Sequence, residues 1–298
     1  MCSPAVLAQV RSTLSRRGLL GRSAALGAGA AIVAAGGLAR PLVVGAQNAT
    51  PVASASPAAG SLSGGVALGN FSQIQDLSHI HSPAFPMFPG AEQMAINVLV
   101  TVAADGFYKN QLVLDEHTGT HMDAPAHFVT DGTTAELLPV EQLVAPLAVI
   151  DISARAAGDP DAQLIPDDIL AWEASYGPLP AGAFVAMYSG WASRVGDAAA
   201  YLNVDAGGTT HFPGFHPDAA ALLVAERDIV GIGVDTISID YGASTDLATH
   251  LTVLSVGKYG IESLAALDTV PPSGATVIVG GPKHLAASGG PTRVLALF

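Results

Sequence analysis

Asp115-Glu116-His117-Thr118-Gly119-Thr120-His121-Met122-Asp123-Ala124-Pro125-Ala126-His127-Phe128 is the densest chemical signal in the chain. Three histidines and an aspartate fall within eleven residues, although the 298-residue sequence has only nine histidines. His117, His121 and Asp123 offer N and O donors suited to Zn, Mn or Fe(II). Gly119 lets the backbone turn tightly between the first two histidines. Pro125 stiffens the loop that carries His127. A neutral imidazole can hold a metal or take a proton near neutral pH, and a carboxylate can bridge two ions. A turn with packed or solvated histidines would account for one of them, but hardly for three beside an aspartate.

The flanking sequence places this segment in an α/β fold. Upstream, Asn97–Ala103 and Leu112–Leu114 are predicted strands. Downstream, Leu147–Ile152, Ala183–Tyr188, Ile229–Val234 and Thr276–Val279 are apolar runs of buried-strand length. Pro166 followed by Asp167 and Asp168 opens a helix with acids in its first turn, and Pro217-Asp218 opens another that runs to about Ala225. Leu247, His250, Leu251 and Leu254 are spaced for one helix face within an otherwise ambiguous 246–259 stretch. Short strands between Pro/Gly turns predict one domain with a mixed, partly curled sheet flanked by helices.

The front of the chain differs. Arg11, Arg16, Arg17, Arg22 and Arg40 precede residue 47, and no acidic residue comes before Asp76. Basic residues, the apolar run 24–44 and the small-residue exit Val44-Gly45-Ala46 predict a signal peptide over 1–46. The adjacent Arg16 and Arg17 make it resemble a twin-arginine signal, and so predict export through that machinery to the periplasm or beyond. A retained anchor is the alternative, although Arg40 interrupts the run and the core it leaves, Ala24 to Ala39, is short for a span of ~20 residues. Residues 47–65, rich in Ala, Ser, Pro and Gly, read as a flexible linker, which leaves 66–298 as the folded body. The only cysteine, Cys2, lies in the signal, so the body has no disulfide or thiolate ligand. With 25 acidic against 12 basic residues, the formal net charge is −13, which argues against nucleic acid as a partner. The pairs Gly207-Gly208 and Gly280-Gly281 lack the context of a phosphate loop. No Gly-x-Ser-x-Gly nucleophile elbow is present.

The 117–128 stretch resembles the His-x-Gly-Thr-His-x-Asp-x-Pro-x-His-Phe signature of the cyclase family of metal-dependent hydrolases, which includes bacterial kynurenine formamidase and isatin hydrolase. Asp76-Leu77-Ser78-His79, Pro86-Met87-Phe88-Pro89-Gly90, Gly190-Trp191, Phe212-Pro213-Gly214-Phe215 and Gly231-Ile232-Gly233-Val234-Asp235-Thr236 resemble its other landmarks, so the resemblance spans nearly all of 71–298. It implies the family's swivelling β/β/α type of fold and an assembly of two or four copies. It implies that His117, His121 and Asp123 are the first metal ligands and that His127 is the general base and acid. It further implies that His250 and Glu262 complete the site, with one or two divalent ions (Zn or Mn) bridged by Asp123. The implied reaction is hydrolysis of a C–N bond in a small amide, aryl formamide or lactam, with an aromatic substrate expected. Formylkynurenine cleavage in tryptophan breakdown is a cytoplasmic reaction and fits poorly with export. An isatin- or lactone-type ring opening, or a noncatalytic exported metal- or ligand-binding protein, are the alternatives. A pure metal binder has no need of His127.

Other residues stay open at this level. His211 and His216 are placed between pocket and surface, His79 between pocket lining and structure, and His284 on the surface. Asp115 and Glu116 either orient His117 or form a solvated strand end. Phe85, Phe88, Phe107, Tyr108 and Trp191 either line an aromatic-accepting pocket or pack in a core or interface.

Overall fold

Apolar runs with both faces buried form the centre of the sheet. The computed structural model describes residues 71–298, so the predicted signal (1–46) and linker (47–65) lie outside the described residues. Thirteen strands are found among them: β1 (Ile74–Asp76), β2 (Ala95–Val100), β3 (Lys109–Val113), β4 (His121–Asp123), β5 (Val144–Asp151), β6 (Gln163–Leu164), β7 (Ala183–Tyr188), β8 (Gly214–Phe215), β9 (Ile229–Val234), β10 (Tyr259–Glu262), β11 (Ala275–Gly280), β12 (Gly289–Pro291) and β13 (Arg293–Leu297). The longer helices are α1 (Pro166–Tyr176), α2 (Pro217–Glu226) and α3 (Ala248–Leu254). Nine strands form one mixed sheet in the order β1-β13-β11-β5-β7-β9-β10-β4-β12. β5, β7, β9 and β10 run parallel to their neighbours within that series, and β4 closes on β10 antiparallel.

The two faces of the sheet feed two cores. Along β7, Phe184 and Ala186 enter one cluster and Val185 and Met187 the other, the two-residue alternation of a strand buried on both sides. The first cluster gathers Met122 of β4 with Val277 of β11 and Val294 of β13. These strands are far apart in the sheet order, so the sheet must curl until its ends share an interior. The second cluster packs the outer face against Ile169 and Trp172 of α1, Ala219, Ala220 and Leu223 of α2, and Val253 of α3. This is the curled mixed sheet with flanking helices that the sequence predicts. Residues 98–110, the outer part of the two-stranded β2–β3 ribbon, belong to a separate compact unit, and 71–97 with 111–298 form the main one. No helix among the described residues is long and apolar enough to cross a membrane.

Element bounds differ from expectation where local chemistry intervenes. β7 and β9 form over the predicted residues. The strand expected over 97–103 stops at Val100, because Thr101 Oγ1 accepts the Ala104 N–H and caps a one-turn helix, Val102–Asp105. The strand expected over 147–152 begins at Val144. The larger difference is in the histidine segment. His121–Asp123, to which no strand is assigned from the sequence, is a strand paired on both sides, with β10 and with β12. Tertiary pairing overrides a composition with little strand propensity.

Candidate active site

β4 is the base of the site. Side chains two apart on a strand share a face, so His121 and Asp123 point the same way. The antiparallel register sets Glu262 of β10 directly opposite His121, and directly opposed residues are the nearest cross-strand neighbours. On the other side, Gly289 of β12 lies opposite Asp123. A Cβ at Gly289 would lie 2.6 Å from His117 Cε1 and 2.2 Å from the Met122 carbonyl oxygen, so only glycine leaves room for the imidazole. Gly119 has a φ of +67°, the tight turn expected between the first two histidines.

His250 arrives from α3. Asp240 accepts the backbone N–H of Thr249 (2.8 Å) and of His250 (3.1 Å) at the start of that helix, where a negative charge is favoured. The same carboxylate accepts the His250 Nδ1–H at 2.6 Å. That bond fixes the ring and turns Nε2 toward Glu262 Oε1 (3.1 Å) and Asp123 Oδ2 (3.4 Å). His121 repeats the arrangement. Its Nδ1–H is given to the Gly119 carbonyl (2.9 Å), and Nε2 lies 3.4 Å from Asp123 Oδ1 and 3.3 Å from Glu262 Oε2. His117 Nδ1 lies 2.6 Å from Asp123 Oδ1. Of the five predicted ligand residues, His117, His121 and His250 therefore reach the Asp123 carboxylate, and Glu262 joins them through His121 and His250.

A divalent cation fits this donor set. His121 Nε2 and Asp123 Oδ2 are buried with no hydrogen-bond partner. A lone pair facing a carboxylate oxygen needs a proton or a cation between them. Two overlapping groups have donor atoms close enough to share an ion, His117–Asp123–His127 and His121–Asp123–Glu262. The electrostatics agree. Burial alone would lower the His121 pKa, but Asp123 and Glu262 outweigh it and raise it to about 10. His250 is raised well above its ordinary value, since Asp123, Asp240 and Glu262 outweigh its burial. Asp123 is held well below the carboxylate range against its own burial by His117, His121 and His250.

His127 sits differently. It belongs to the turn Pro125–His127 and stacks on His117 with ring centroids 3.7 Å apart. Burial pushes its pKa down to about 4, so it is neutral at physiological pH. Above the cluster opens a cleft of about 690 Å³, with Phe88, Leu114, Phe128, Ile237 and Leu247 among its apolar walls. Phe128 stacks on His250 at 4.6 Å. Leu247 holds a left-handed backbone (φ +50°) at the head of α3; such strain concentrates at functional sites.

The remaining expectations sort themselves. His211 pairs with Asp161 and Asp205, and His216 caps α2 by accepting the Asp218 N–H; neither lines the cleft. His79 lines two smaller clefts instead. His284 is exposed, as expected, but bonds Glu116. Asp115 accepts the Glu92 N–H, away from His117. Trp191 is buried with Tyr201, Phe212 and Ile237, and gives its indole N–H to the Tyr201 carbonyl. Of the five aromatics singled out, Phe88 lines the cleft, and Phe107 and Tyr108 are exposed on the ribbon. Sequence reasoning missed Asp240, which lies ten residues before His250 with no local pattern to mark it.

The Cyclase family model matches residues 75–241, more than half of the chain. The chain belongs to the cyclase family. Isatin hydrolase of Roseibium aggregatum is 42% identical over 200 residues, which cover 64% of this chain and 75% of that protein. Kynurenine formamidase of Salinibacter ruber is 28% identical over 222 residues, 74% of this chain and 95% of that protein. Among solved structures, an isatin hydrolase bound to the product analogue thioisatinate superposes with a TM-score of 0.72 at 36% identity, covering 76% of this chain and 92% of that one. Isatin hydrolase A from Labrenzia aggregata bound to benzyl benzoate gives 0.71 at 34%, covering 76% and 93%.

Proposed function

We propose that this protein is a metal-dependent hydrolase that cleaves the C–N bond of a small aromatic amide, formamide or lactam. The observation that supports this best is the convergence of three imidazole nitrogens on the Asp123 carboxylate, two of them also facing Glu262, at the floor of an apolar cleft. His117, His121, Asp123, His250 and Glu262 would hold the metal, zinc or manganese. A divalent ion bound there polarises a carbonyl and acidifies water. His127, neutral because it is buried, takes the proton of the attacking water as oxygen adds to the carbonyl carbon. It returns that proton to the nitrogen as the C–N bond breaks. Stacking on His117 fixes its plane. Phe88, Phe128 and Leu247 cover the aromatic body of the substrate and exclude bulk water. Of the relatives above, the isatin hydrolases share more identity with this chain than the formamidase does, so an aromatic lactam is the first substrate to test.

Metal analysis of the purified protein, followed by a panel of an isatin-type lactam, an aryl formamide and an aryl lactone, tests this reading. The expected result is one or two ions per chain and turnover of the lactam or formamide, lost on chelation and restored by zinc or manganese. Tight metal with no turnover would make it a metal-binding protein, and no metal at all would end the reading. Export rests on Arg16-Arg17 and the apolar run behind them. Cell fractionation with N-terminal sequencing should find a mature start near Gln47, and an intact Met1 in the cytoplasm would refute it. Assembly into two or four copies is supported by Val98, Leu99, Val102 and Tyr108, apolar side chains exposed together on the ribbon, and light scattering measures it.

A further inference from the structure

Ser288 is placed by the strand-to-strand geometry that builds the site. It precedes Gly289 of β12, and its carbonyl accepts the Ala124 N–H just past β4. Its hydroxyl oxygen lies 2.9 Å from His117 Nε2 and 2.5 Å from Glu116 Oε2. A serine hydroxyl has one hydrogen to give, and a carboxylate can only accept. Glu116 is an acceptor at both ends: Oε2 also takes the Ser288 N–H (3.2 Å), and Oε1 takes the ring N–H of His284 (2.5 Å). The Ser288 hydrogen therefore goes to Glu116. The oxygen can then only accept from His117, so His117 carries its proton on Nε2. Nδ1, 2.6 Å from Asp123 Oδ1, is then the ring atom left for a cation.

We propose that Ser288, held by Glu116, is the positioning residue that makes His117 a ligand through Nδ1, whereas His121 and His250 present Nε2. The inference rests on the metal-binding reading above and adds to it an atom and a residue. The three histidines are each locked from behind by a different acceptor: the Gly119 carbonyl for His121, the Asp240 carboxylate for His250, and the Ser288 hydroxyl for His117. The third lock is unlike the other two. A hydroxyl can donate as well as accept, and only the Glu116 carboxylate prevents it from turning its hydrogen toward the ring. Without that constraint His117 could take the opposite tautomer, with Nδ1–H donating to Asp123 and no lone pair for a cation. Glu116 and Ser288 thus act through His117, and neither need touch substrate.

The test is zinc binding and ring-nitrogen NMR on the full chain. With zinc bound, wild-type protein should show His117 protonated on Nε2 in long-range ¹H–¹⁵N spectra, and His121 and His250 protonated on Nδ1. Ser288→Ala should weaken zinc about 10–100-fold in competition with a chelator, the usual effect of losing such a support. Ser288→Thr, which keeps the hydroxyl, should restore affinity to within a few-fold. A melting curve for each variant separates loss of the site from loss of the fold. Zinc-loaded wild type with the His117 proton on Nδ1, or Ser288→Ala binding zinc as tightly as wild type, would overturn this proposal while leaving the metal reading intact. Wild type that binds no zinc would overturn both.

Discussion

Zinc uptake by the metal-free protein should release protons, and the structure sets how many. His121 is raised to about 10 and His250 is raised well above its ordinary value, so both are charged at pH 7 without metal. In each, one ring nitrogen already gives its hydrogen to a fixed acceptor, Gly119 or Asp240, and the second proton sits on Nε2 facing the carboxylates. A cation takes the place of both Nε2 protons. Two protons lost per ion make the apparent affinity climb about 100-fold per pH unit, or about 2.7 kcal/mol, around pH 7. Calorimetric titration with zinc in two buffers of different ionisation enthalpy reads the proton number directly. The same shifts act on folding. A histidine raised on folding contributes stability that is complete below pH 6.5 and is lost as pH rises toward 10, so the melting temperature of chelated protein should fall across that window. Release of fewer than one proton at pH 7, or an affinity flat with pH, would refute the reasoning.

Three substitutions probe the parts separately. His121→Ala should remove metal and activity together, whereas His127→Ala should keep most of the metal and lower turnover about 10²–10⁴-fold. Metal content by emission spectroscopy beside kcat decides it, and a His127 variant stripped of metal would make His127 a ligand. Asp240→Asn should weaken metal about 10–100-fold and cost about 1–3 kcal/mol of stability, because an amide nitrogen then faces either the Thr249 N–H or the two N–H groups of His250. Chelator competition and denaturant titration measure the two effects. Gly289→Ala should cost about 1–3 kcal/mol by crowding Met122 and displace the His117 ring, lowering both Tm and zinc affinity.

What could be read from the sequence follows from where the information lies. The central strands β7 and β9 were legible because burial on both faces writes an uninterrupted apolar run. α1 and α2 were legible from Pro166 and Pro217, each followed by an acid in the first turn. β4 was not, since three residues reading His-Met-Asp become a strand only through partners more than a hundred residues away. In the site, His117, His121, Asp123 and His127 were visible as a local cluster. His250 and Glu262 carried no intrinsic mark and were found through the resemblance alone. Asp240 and Ser288 act through single hydrogen bonds set by the tertiary fold, which leave no spacing in the sequence to detect.

The pairing of β12 with β4 also bears on the order of events during synthesis. Every ligand residue has been made by Glu262, yet β4 gains its second neighbour, and His117 its supporting hydroxyl, only with Ser288 and Gly289. A chain halted between these points would hold the whole donor set without the geometry to fix it. Metal capture at this site is therefore an event of the finished chain, and a truncation before Ser288 should yield protein that keeps all five donors but not the tight site.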